Sequence, residues 1–106
     1  MNSMQKTMVE IGNIHDLPLQ TGRVVKVNGR EIAVFRISSG DVRAVENRCP
    51  HKNGPLAEGI VAGEYVFCPL HDRKINLNDG NVQAPDSGCV TTYRVDVTDE
   101  KVYISI

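Results

Sequence analysis

Two short segments of this 106-residue chain each place a cysteine and a histidine beside a proline. The first segment, residues 47–56, reads NRCPHKNGPL, and the second, residues 66–77, reads VFCPLHDRKINL. Together they hold two of the three cysteines and two of the three histidines, which argues against four unrelated residues. Thiolate sulfur and imidazole nitrogen are ligands for zinc and for iron–sulfur clusters. The two segments are therefore expected to converge on a metal centre.

The candidate ligands are Cys49, His51, Cys68 and His71. A tetrahedral zinc site is one alternative, although zinc spacings usually pair Cys with Cys and His with His. In a Rieske-type [2Fe–2S] centre one iron takes two thiolates and the other takes two imidazoles. Because each segment offers one residue of each kind, the spacing favours the binuclear cluster over zinc.

The rest of the chain predicts short β-strands and almost no helix. Asn28-Gly29 lies between GRVVKV and REIAVFRI and is a strong signal for a tight hairpin, since both turn positions need positive φ. A second hairpin is predicted around Ala62-Gly63 and would set the two Cys/His segments side by side. Near the C terminus, TTYRVDV and KVYISI alternate with a period of two, typical of strands with one buried face. The predicted fold class is all-β, a small antiparallel sandwich or barrel with two cluster-binding loops.

Composition excludes several classes of function. The net charge is −1 and there is no basic block, so nucleic acid is not an expected partner. No apolar run approaches the roughly 20 residues that span a bilayer, and the start MNSMQKTMVEIG lacks the apolar stretch of a secretory signal. We therefore expect no membrane partner, a cytoplasmic location and reduced cysteines. The length predicts one domain over residues 8–106, preceded by a disordered N-terminus over residues 1–7.

Two residues outside the segments have metal-binding side chains but a different expected role. His15 lies in IHDLP (14–18), the one hint of a helical turn, and is expected to be a surface residue. Cys89 opens the predicted strand CVTTYRV and is expected to be a small buried residue rather than a ligand.

The order of the two segments, CPH and then CPLH, resembles the Rieske iron–sulfur domain. Downstream, APDSGCVTTYRVDVTDEKVYI (84–104) is similar to the small subunit of the assimilatory NAD(P)H-dependent nitrite reductase, as is LPLQTGRVVKVNGREIAVFR (17–36). The resemblance runs from about residue 9 to residue 106. It implies a Rieske-type (ISP-like) fold in which Cys49, His51, Cys68 and His71 hold one [2Fe–2S] cluster.

The resemblance also implies a role in a cytoplasmic complex that reduces nitrite to ammonium in nitrate assimilation. The expected partner is the large subunit of nitrite reductase, which in that family carries FAD, siroheme and a [4Fe–4S] cluster. This chain would then be an electron-transfer subunit that is not catalytic alone. A free Rieske-type ferredoxin serving a ring-hydroxylating oxygenase is the alternative. The Cys/His segments do not separate the two, and the segment 84–104 favours nitrite reductase.

The residues that follow the second histidine bear on the redox potential. High-potential Rieske proteins of respiratory complexes have a Ser and a Tyr that donate to sulfur, where this chain has Arg73 and Ile75. They also join the two loops by a disulfide, at positions that match Gly54 and Leu70 here. Ile75 has no donor, and Arg73 is expected to point to water. These differences predict a potential near the low end of the Rieske range, about −150 mV.

Overall fold

The computed structural model describes residues 8–48, 55–69, 73–84 and 88–105. The predicted disorder of residues 1–7 lies outside these ranges. The strands in them are β1 (Met8–Asn13), β2 (Thr21–Val27), β3 (Arg30–Arg36), β4 (Val42–Glu46), β5 (Ile60–Ala62), β6 (Tyr65–Phe67), β7 (Lys74–Asn76), β8 (Thr92–Tyr93), β9 (Val95–Thr98) and β10 (Lys101–Ser105). Helical structure in the described ranges is limited to two 3-10 turns, Ile14–Asp16 and Leu56–Glu58. Neither turn is long or apolar enough to cross a membrane.

The strands form three antiparallel sheets, which confirms the predicted all-β class. We call them the terminal sheet, in the order β1-β10-β9, the central sheet, β2-β3-β4-β8, and the small sheet, β5-β6-β7. Every neighbouring pair of strands in these sheets runs antiparallel. The strands that the hairpin signals and the alternation predicted therefore support the two Cys/His segments.

Both predicted hairpins are present, one of them shifted by a residue. Asn28 and Gly29 have φ of 52° and 79°, and the pairing of Val27 with Arg30 closes a two-residue turn. In the β5–β6 hairpin, Ala62 pairs with Tyr65, so the turn lies at residues 63–64 rather than at 62–63. The hairpin between the two Cys/His segments is thus confirmed.

The predicted strand TTYRVDV is divided at Arg94 between two sheets. Its first part is β8, which pairs with β4, and its second part is β9, which pairs with β10. At the division, the carbonyl of Arg94 accepts a hydrogen bond from the amide of Ser105 (2.9 Å). Val102 and Ile104 are fully buried as the alternation predicts, but Val97 is 45% exposed because β9 is an edge of the terminal sheet.

Alternate residues of β3 contribute to two separate hydrophobic cores. Ala33 and Phe35 belong to the core shared with the small sheet, whereas Ile32 and Val34 belong to the core shared with the terminal sheet. All four side chains are 0% exposed. Strand β3 is therefore buried on both faces of the central sheet, and the core on the small-sheet side, here called the small-sheet core, adjoins the candidate site.

Candidate metal centre

The cysteine of each Cys/His segment follows the end of a strand. The last residue of β4 is Glu46, three residues before Cys49, and β6 ends directly before Cys68. Cys49, His51 and His71 lie outside the described residues. Of the four predicted ligands the structure therefore places Cys68 alone, and convergence of all four stays a prediction.

Cys68 lies at the base of a short loop that extends the β6–β7 hairpin. Phe67 pairs with Lys74, and the amide of Cys68 donates to the carbonyl of Arg73 (2.9 Å). Cys68 itself is 0% exposed and belongs to the small-sheet core. The hairpin thus holds this sulfur in apolar surroundings, shielded from water.

The described end of the first segment lies beside the start of the second. Leu56 and Ala57 occupy the second 3-10 turn and are buried in the same core as Cys68. Gly59 approaches the β6 backbone so closely that a Cβ at this position would lie 2.2 Å from the carbonyl oxygen of Phe67. The predicted hairpin therefore brings the flanks of the two segments together, as expected.

Asn47 is a buried polar residue at the start of the first segment, and the sequence analysis did not single it out. It is 8% exposed, and its Oδ1 accepts a hydrogen bond from the amide of Ala57 (2.8 Å). Its Nδ2 donates to Oε1 of Glu31 on β3 (3.2 Å). The available signal was its place directly after a strand and two residues before Cys49, where an Asn side chain can satisfy loop backbone.

The side chains after the second histidine position only partly follow expectation. Ile75 is fully buried in the small-sheet core and offers no donor, as predicted. Arg73 was expected to point to water, and that expectation is wrong. The residue is half-buried and its Nε is shielded from solvent. The backbone carbonyl of Arg73 accepts the hydrogen bond from the Cys68 amide, which holds the residue at the base of the hairpin loop.

A groove of about 640 Å³ opens beside Asn47. Its lining carries charges of both signs, from Arg30 and Arg48 and from Glu31 and Glu46. Arg48 and Glu46 form an ion pair at 2.9 Å. The surface next to the first segment is therefore charged but balanced in sign.

The two isolated candidates, His15 and Cys89, are both at the surface. The side chain of His15 is 66% exposed in the first 3-10 turn, with Nε2 3.2 Å from the carboxylate of Glu100, which confirms it as a surface residue. Cys89 is exposed, so the prediction that it is buried is wrong. It forms an isolated bridge with Asn81, and the adjacent Val90 takes the core position instead. Within the described ranges, no three His, Cys, Asp or Glu side chains converge as an alternative metal site.

The described part of the site fits an iron–sulfur group. Such clusters are held by cysteine thiolates, and the hairpin supplies a cysteine, Cys68, in a fixed and buried position. The flanks of both loops are fixed by backbone hydrogen bonds and by core packing, which suits a site whose ligands come from irregular segments.

Proteins of two kinds are similar to this chain along nearly its whole length. The ferredoxin component of the naphthalene 1,2-dioxygenase/salicylate 5-hydroxylase systems of Ralstonia sp. is 27% identical over 104 residues, covering 97% of this chain and 99% of that protein. A candidate NADH-dependent nitrite reductase small subunit from Mycobacterium tuberculosis superimposes with a TM-score of 0.89 over 96% of each chain. At 24% identity, that likeness shows the fold alone. A candidate NADPH nitrite reductase small subunit has a TM-score of 0.82 and 30% identity, covering 92% of this chain and 97% of that one.

One protein family matches almost the whole chain. The profile of the family described as "Rieske-like [2Fe-2S] domain" matches residues 7–105. The antiparallel sheets, the flanks of both segments in one core and the Cys/His pattern of the sequence agree with that match. The chain therefore belongs to the Rieske-like [2Fe–2S] domain family, and it is an electron-transfer domain of the Rieske type.

Proposed function

We propose that this chain is the electron-transfer small subunit of an NAD(P)H-dependent nitrite reductase, acting in the cytoplasm in the reduction of nitrite to ammonium for nitrate assimilation. The observation that carries the proposal is the likeness, at 30% identity and over 92% of this chain, to a candidate nitrite reductase small subunit. The resemblance of residues 84–104 to that family supports the same role.

In this proposal Cys49, His51, Cys68 and His71 hold one Rieske-type cluster, with thiolates on one iron and imidazoles on the other. When bound, such a cluster accepts and returns one electron at a time. The contribution of the chain is to hold the ligands and to keep water away. Cys68 does both, because its backbone closes the β6–β7 loop and its side chain is buried.

A first experiment tests the ligand assignment. Cys68→Ser should abolish the cluster, so that the purified protein loses its iron and its visible absorption. Cys89→Ser is the matched control, because Cys89 is exposed and lies outside both segments, and it should leave iron and absorption unchanged. A Cys68→Ser protein with full iron content and an unchanged spectrum would show the assignment to be wrong.

The proposed partner is the large subunit, which would carry the FAD, siroheme and [4Fe–4S] cluster. This chain has no nucleotide-binding glycine motif and no segment suited to siroheme. The cluster-loaded chain alone should therefore not reduce nitrite with NADH or NADPH. Added to a large subunit prepared without it, the chain should raise nicotinamide-dependent nitrite reduction. Turnover by the pure chain would contradict the subunit role.

The second candidate function is a free ferredoxin for a ring-hydroxylating oxygenase. It is favoured by the 27% identity to the Ralstonia ferredoxin component, which this chain matches over nearly all of both lengths. The two candidates are separated by offering the reduced chain to each acceptor in turn. Electron transfer to a naphthalene-type oxygenase, with none to the nitrite reductase large subunit, would replace the first proposal by the second.

A further inference from the structure

The side chain of Asn47 connects three parts of the fold that are distant in sequence. Its Oδ1 accepts the hydrogen bond from the Ala57 amide at 2.8 Å, and its Nδ2 donates to Glu31 Oε1 at 3.2 Å. The Asn47 backbone amide also donates to the carbonyl of Glu31 at 3.1 Å. The residue is therefore anchored twice to β3 while it holds the far end of the first segment.

These contacts act on the two flanks of the first segment. Asn47 follows β4, and Ala57 lies within the second 3-10 turn. The hydrogen bond between them is buried, so removal of the side chain takes away the partner of the Ala57 amide. One side-chain amide group thus links the two ends of the first segment directly.

The direction of each hydrogen bond is fixed by chemistry. A backbone amide can only donate, so Asn47 must present an oxygen to Ala57. The Glu31 carboxylate can only accept when ionised, so Asn47 must present its NH₂ to Glu31. A carboxamide meets both demands at once, and neither a carboxylate nor an alkyl side chain does.

We propose that Asn47 is a positioning residue for the cluster, holding the ends of the segment that carries Cys49 and His51 at a fixed separation. This inference rests on the proposed cluster function. Outer-shell residues that orient ligands commonly change metal affinity by about 10- to 100-fold when they are replaced. Asn47 is two residues from the nearest ligand and is set by contacts that do not involve the metal.

The experiment uses three variants of the full chain and one control. Asn47→Ala removes both hydrogen bonds. Asn47→Asp keeps the acceptor for Ala57 but faces the Glu31 carboxylate with a second carboxylate. Asn47→Asp combined with Glu31→Gln reverses the second hydrogen bond, because the glutamine NH₂ can donate to the aspartate. Asn78→Ala is the control, since Asn78 also bonds through its side chain, to Arg43 at 2.7 Å, but in an exposed position outside both segments.

We expect Asn47→Ala and Asn47→Asp to lose the cluster about tenfold faster than the wild type, with shifted EPR g values and a shifted midpoint potential. The double variant should recover toward wild-type values, and Asn78→Ala should match the wild type. In the metal-free chain, the Ala57 amide of Asn47→Ala should exchange its hydrogen about tenfold faster or more.

Two results would overturn the positioning role alone. One is a wild-type cluster half-life, EPR spectrum and potential in both single variants. The other is a faster loss of the cluster in Asn47→Asp that the double variant does not reverse. That result would mean that the hydrogen bond to Glu31 does not stabilise the cluster. A wild-type chain that takes up no iron would instead overturn the proposed function, and this inference with it.

Discussion

Replacement of Gly22 by alanine tests how the second 3-10 turn is held against the central sheet. Gly22 lies in β2, where an ideal Cβ would stand 2.3 Å from the carbonyl oxygen of Ala57 and 2.7 Å from Cε1 of Phe35. Ordinary van der Waals contact begins at 3.4 Å, so both neighbours are too close by a wide margin. The second 3-10 turn therefore occupies the space that a side chain on Gly22 would need.

Neither neighbour of Gly22 can move easily to admit a methyl group. The Ala57 backbone is tied to Asn47 by its buried hydrogen bond, and Phe35 is 0% exposed in the small-sheet core. Overpacking of this kind costs about 1–3 kcal/mol, a large part of the roughly 5–15 kcal/mol that stabilises a domain. We expect Gly22→Ala to lower the free energy of unfolding by about 2 kcal/mol.

Urea unfolding of the metal-free chain, followed by far-UV circular dichroism, measures this change. Val24→Ala is the control, because Val24 is on the same strand but is 43% exposed, and it should change stability by no more than about 0.5 kcal/mol. If the two variants unfold at the same urea concentration as the wild type, the close packing of β2 on the 3-10 turn is not a constraint on the fold. The cluster half-life of Gly22→Ala should fall as well, since the displaced turn carries the end of the first segment.

Two further predictions concern the metal. Removal of the cluster should leave the β core intact but speed hydrogen exchange at residues 49–56 and 68–74, because the proposed ligands are expected to converge only around metal. Equal protection with and without metal would contradict this. The midpoint potential at pH 7 should lie near the low end of the Rieske range, about −150 mV, because buried Ile75 offers no donor to the cluster. Protein-film voltammetry measures it, and a midpoint above zero would show that Arg73 or backbone amides stabilise the reduced cluster.

Features set by neighbouring residues were the ones that the sequence predicted well. The turn at Asn28-Gly29 depends on the φ preferences of two adjacent residues, and it is found where expected. The buried positions Val102 and Ile104 follow from alternation alone. The four Cys/His positions predicted a Rieske family, and the family profile confirms the family without testing the individual ligands.

Features set by distant residues could not be predicted in the same way. The division of TTYRVDV at Arg94 leaves the period of two unbroken, so nothing local marks the change of sheet. The role of Asn47 depends on partners 16 and 10 residues away. Cys89 is exposed, and the neighbouring Val90 fills the core instead. Both side chains are small and apolar, so residue type alone does not predict which of the two is buried.

The positions of the two loops depend on two different sheets. Asn47 leaves the central sheet at the end of β4, whereas Cys68 leaves the small sheet at the end of β6. The core that contains Phe35, Leu56 and Cys68 lies between these sheets and joins them. A change in packing within that core should therefore alter the separation of the loops before it melts either sheet. For an electron-transfer domain of the Rieske type, we therefore expect packing between the sheets, and not only the ligands themselves, to set the geometry of the site.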